Sequence, residues 1–132
     1  MRIEAFVFSL FLPLSAAACG FCIEDRVAAV YDQAAVEKAV KEKRYVAFFG
    51  IEGEAHAVSP AAIAHAVEGA GAIRGATKVS IHEHALAAVY DPKRTTVKKL
   101  GEAASRSLAS RGVTLTALRV IDASGKLTEP AP

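Results

Sequence analysis

The chain has 132 residues, of which 52% are hydrophobic and 23% charged, with a formal net charge of +2. That length suits one domain with a proper core. The positive charge is scattered, with Lys93-Arg94 and Lys98-Lys99 as local clusters only. A basic stripe interleaved with aromatics is missing, which argues against a nucleic-acid partner.

The N-terminus reads as a secretory signal peptide over residues 1–18. Arg2 precedes an apolar run at residues 5–14, and Ser15, Ala16, Ala17 and Ala18 supply the small residues of a cleavage site. The run falls short of the roughly 20 apolar residues a membrane span needs. Cleavage after Ala18 leaves Cys19 first and predicts a periplasmic or secreted protein. Lipoprotein anchoring through Cys19 is the alternative, although Ala16 stands where such signals carry a larger aliphatic residue.

Residues 19–43 form an N-terminal segment that combines a Cys-x-x-Cys pair, Cys19 and Cys22, with a helix. Ile23, Val27, Val30, Tyr31, Ala34 and Val40 recur at helical spacing, and Asp32 is a good N-cap should the helix break there. Residues 45–51 predict a short strand, apolar on both faces, and residues 52–58 a loop. Ser59-Pro60 predicts a helix start, with Ser as N-cap and Pro in the first turn. Residues 78–82 and 85–90 predict a hairpin. Thr95 or Thr96 caps a helix whose apolar stripe is Val97, Leu100, Ala104 and Leu108, closed by Arg111 and Gly112. Residues 115–121 predict the last strand, and residues 123–132 a flexible tail.

After the first helix this order is β-α-β-β-α-β, the α+β, ferredoxin-like unit over residues 44–122: an antiparallel sheet with two helices on one face. Strands apolar on both sides need cover on both. The N-terminal helix is the expected cover, packed opposite the other two helices and burying Val27, Val30 and Ala34. A homodimer is the alternative.

Three stretches resemble the heavy-metal-associated domain of copper chaperones and metal-transporting ATPases. They are Gly75-Ala-Thr-Lys-Val-Ser-Ile, Ala87-Ala-Val-Tyr-Asp-Pro, and the helix bearing Leu100 and Ala104. The resemblance covers residues 45–121 and implies the ferredoxin-like fold and metal handling. The family's Met-x-Cys-x-x-Cys loop maps onto Ala57, Ser59 and Ala62, so its usual ligands are absent.

Cys19 and Cys22 are the only cysteines. Thiolates at this spacing reach one soft cation such as Cu(I). They also form a reversible redox disulfide or a small structural one. A helix lying antiparallel on the first strand would bring the pair to the 53–59 loop, where His56 becomes a third ligand. His82 and His84, two apart, would share a strand face and grip a metal, or mark an exposed turn. His65 reads as a surface or boundary position. No preceding strand, no evident cis-Pro and the acidic Glu24 and Asp25 speak against a thioredoxin-type enzyme. With no Ser-His-Asp set, phosphate loop or paired carboxylates, no enzyme is expected. The expected cargo is copper(I) or another soft metal ion, and the expected partner a membrane metal transporter or another exported protein. The competing expectation is an interaction or structural module with a disulfide or lipidated cysteine.

Overall fold

The computed structural model describes residues 22–131; the stretch expected to be a signal peptide, residues 1–18, and Cys19 lie outside them. The chain is α+β. In order it forms α1 (Ile23–Val30), α2 (Gln33–Lys41), β1 (Tyr45–Gly53), α3 (Pro60–Gly69), β2 (Lys78–Ser80), β3 (Ala85–Tyr90), α4 (Val97–Leu108), β4 (Val113–Ile121) and β5 (Leu127–Thr128). Single 3-10 turns occupy Ala55–Ala57 and Ala109–Arg111. The strands form one sheet in the order β2-β3-β1-β4-β5, and every pair is antiparallel. No described helix is long and apolar enough to cross a membrane.

The starts of α2, α3 and α4 are set by side-chain caps. Asp32 accepts from the Ala35 amide at 3.2 Å, Ser59 from Ala62 at 3.1 Å, and Thr96 from Lys99 at 3.2 Å. Each satisfies one of the amides that a first helical turn leaves without an intrahelical acceptor. The single N-terminal helix is thus two. Tyr31 is extended (φ −74°, ψ 126°) and stacks on Phe48 with ring centres 6.4 Å apart, while Asp32 starts α2 afresh.

Alternation along β1 and β3 sorts their side chains into two cores. Ala47, Phe49, Ile51, Leu86, Ala88 and Tyr90 pack beneath α3 and α4 with Ile63, Val67, Val97, Leu100, Ala104 and Leu108. Val46, Phe48, Ala85, Ala87 and Val89 pack on the other face with Val27, Val30, Val36 and Ala39. The doubly apolar strands are therefore covered on both sides, and α1 and α2 supply the second cover. Val27 and Val30 bury as expected, but Ala34 is exposed. The break at Asp32 resets the helical phase, so Val36 and Ala39 take the inward positions.

Opposite Phe48 and Phe49, β4 carries a bulge: Phe48 pairs with Arg119 and Phe49 with Ala117. The extra residue, Leu118, buries on the α1–α2 side, and Arg119 reaches Glu24 of α1 at 3.5 Å. The stretch expected to be a loose tail contains β5. Asp122 makes the turn, accepting from the Ser124 hydroxyl at 2.6 Å and from the Ser124 and Lys126 amides at 2.9 and 3.1 Å. The Ser124 hydroxyl, followed by the Lys126 amide, holds its carboxyl below the usual carboxylate range. Leu127 and Thr128 then pair with Ile121 and Val120.

Candidate functional site

One end of the sheet gathers most of the residues singled out by the sequence. The register that sets Gly50 opposite Ala85 brings the end of β1 and the β2–β3 turn together. The loop after β1 closes against the start of β4, where the Glu54 amide donates to the Gly112 carbonyl at 3.1 Å. Within that loop the 3-10 turn Ala55–Ala57 is anchored by Ala55, which is wholly buried, while His56 faces solvent.

Arg26 fastens α1 to this end. Its Nη2 donates to Glu52 Oε1 and to the His84 carbonyl, both at 2.9 Å, and its Nε donates to the same carbonyl at 3.2 Å. The guanidinium lies over Gly50 and fills the space that a Cβ on this residue would need, with Cζ only 2.7 Å from that position. Glycine in a strand interior commonly marks such a close approach. Arg26 is the one buried charged residue among those described, and its partner Glu52 is half-exposed. Four residues on, Val30 lies beside Val46 and Val89, towards the start of β1. α1 therefore runs antiparallel to β1, and Cys22, its N-cap, sits at the end that carries the 53–59 loop. Cys22 is half-buried, and its carbonyl accepts from the Arg26 amide at 3.1 Å.

His84 closes the β2–β3 turn in the left-handed region, φ 50°, which histidine enters more readily than most side chains. Its carbonyl also accepts from the Ile51 amide at 2.8 Å, so three donors converge on that oxygen. Its ring meets that of His56 edge-on, with centres 5.5 Å apart and planes at 87°. A cavity of about 290 Å³ lined by Arg26, Ile51, Glu52, Gly53 and His84 opens beside it.

Of the two readings of His82 and His84, the turn is borne out and the shared strand face is not. β2 ends at Ser80 and residues 81–84 form the turn, so His82 points to solvent and His84 turns to His56 instead. Ser59, which aligns with the resembled family's first cysteine, is occupied as the α3 cap. His65 is exposed on α3, as expected. Arg26 and Glu52 were not singled out by the sequence. Their signal was Gly50, a glycine set inside an apolar strand.

Soft-metal chemistry asks for thiolate donors supported by nitrogen. Cys22, His56 and His84 are donors of the right kind at one end of the fold. Among the described residues no group of three or more His, Cys, Asp or Glu converges closely enough to hold an ion. No family model matches the chain, and neither the curated proteins nor the solved structures compared with it give a match.

Proposed function

We propose that this chain is an exported soft-metal-binding protein, with Cys19 and Cys22 as thiolate ligands for Cu(I) and His56 assisting. The metal is cargo, received from or passed to another exported protein or a membrane transporter. The observation that carries the reading is the antiparallel run of α1 on β1, fixed by Arg26. It sets Cys22 at the same end of the sheet as the His56 loop. Two thiolates three residues apart suit the low coordination number of Cu(I), and a nearby imidazole completes a trigonal set.

Reduced protein spanning residues 19–132 is titrated with Cu(I) against a competing chelator. One equivalent bound tightly, and lost in the Cys19→Ser, Cys22→Ser double variant, is the expected outcome. Equal affinity in that variant and in the wild type sinks the proposal. Intact mass of the exported protein adds a second check, because a diacylglyceryl adduct on Cys19 removes one of the two thiolates.

A further inference from the structure

The thiolate reading uses His56 only as an assisting ligand and leaves His84, whose ring meets that of His56, without a role. Two imidazole nitrogens bound to one cation at about 2.0–2.1 Å leave their ring centres roughly 5–6 Å apart. The two rings here lie 5.5 Å apart. We propose that His56 and His84 form a two-imidazole grip for a borderline divalent cation, Zn²⁺ or Cu²⁺, that works whether or not the cysteines are available.

Two observations support it. Both rings rise from backbone that is held in place before any ion arrives. Ala55 locks the 3-10 turn under His56, and the His84 carbonyl is tied by Ile51 and by the Arg26 fork. Preorganised ligands lose little freedom on binding, which is what a site needs. Both rings are also reachable, since His56 is exposed and His84 partly so.

The ligand preference follows from the donors. Neutral imidazole suits Zn²⁺ and Cu²⁺, whereas Cu(I) favours the sulfur of Cys19 and Cys22. Arg26 adds positive charge nearby, but its guanidinium is engaged with Glu52, which offsets it. Water completes the coordination shell, since no third protein ligand converges among the described residues. In an oxidising compartment a Cys19–Cys22 disulfide would remove the thiolates and leave this pair intact.

The test uses the chain of residues 19–132 with Cys19→Ser and Cys22→Ser in place. Zn²⁺ alone is titrated by calorimetry, and Cu²⁺ binding is followed by electron paramagnetic resonance. The expected result is one Zn²⁺ per chain and a Cu²⁺ signal with two-nitrogen superhyperfine structure. His56→Gln and His84→Asn should each weaken Zn²⁺ binding at least tenfold, and His82→Ala should leave it unchanged. Asparagine tolerates the left-handed position, so His84→Asn keeps the turn, and its thermal midpoint verifies folding. Zn²⁺ affinity equal to the parent in both His56→Gln and His84→Asn overturns the proposal, as does the absence of any stoichiometric Zn²⁺ binding. A failed Cu(I) titration in the wild type would reject the thiolate reading without touching this one.

Discussion

Arg26 and Gly50 should behave as a single unit. The guanidinium donates three hydrogen bonds, and it occupies the space a side chain at residue 50 would need, with Cζ and Nη1 at 2.7 and 3.0 Å from the Cβ position and Nη2 closer still. A hydrogen bond to a charged group contributes about 1.5–3 kcal/mol, but Glu52 is half-exposed and the His84 carbonyl keeps Ile51 as a donor. The three bonds and the buried aliphatic stem together therefore amount to about 2–3 kcal/mol, the expected cost of Arg26→Ala. Gly50→Ala must expel the guanidinium and forfeits most of the same energy. It recovers about 0.5–1 kcal/mol because glycine loses more backbone freedom than alanine on folding. The net cost is about 1.5–2 kcal/mol. In the Arg26→Ala background the obstruction is gone, and Gly50→Ala should be neutral or slightly stabilising. A double-mutant cycle read by urea denaturation should return a coupling of about 2 kcal/mol, far above the additivity error of about 0.3–0.5 kcal/mol. Additive single effects would refute the requirement for glycine at residue 50 imposed by Arg26.

Phe48→Ala should cost about 3–5 kcal/mol, because the ring is fully buried between β1 and the α1–α2 layer, and loss of cooperative melting or a large drop in midpoint checks it. Gly101→Ala places a Cβ 2.9 Å from Phe49 Cε1, so despite a helix-propensity gain of about 1 kcal/mol it should destabilise α4, whereas an increase in denaturation midpoint would contradict the packing described. Burial, and then the nearby Tyr45, push the Tyr90 phenol up to about 12. A raised folded-state value contributes stability that is fully present below the unfolded value of about 10 and is lost as pH rises through the folded one. Stability should therefore fall between about pH 10 and pH 12. Tyr90→Phe should flatten that fall, which chemical denaturation across the range will read.

Much of the architecture was legible because its signals are local. Ser59, Thr96 and Asp32 each combine a capping side chain with an adjacent helical pattern, and all three cap helices. The doubly apolar β1 and β3 called for two covering layers, and both are present. The failures come from interactions that sequence spacing does not encode. Ala34 continued the apolar stripe of one long helix, but the Asp32 cap restarts the count. The β4 bulge moves Leu118 and Arg119 onto one face against strict alternation. β5 is only two residues long, and its clue was the turn chemistry at Asp122 rather than any strand pattern. At the candidate site, Cys22 and His56 were chosen for donor chemistry, and helix direction brought them to one end. Arg26 carries no local signal, because its partners stand 26 and 58 residues away. The turn reading of His82 and His84 holds, but the contact of the His84 ring with His56 joins residues 28 apart, which no local spacing encodes.

Binding of a soft metal by an exported Cys pair and His56 is tested most directly by X-ray absorption at the copper edge. The sample is reduced protein of residues 19–132 loaded with one equivalent of Cu(I). The expected spectrum is a low-coordinate Cu(I) edge with two sulfur scatterers and one nitrogen, the nitrogen disappearing in His56→Gln. A first shell of nitrogen and oxygen alone, or a two-sulfur spectrum unchanged by Cys19→Ser, would contradict it.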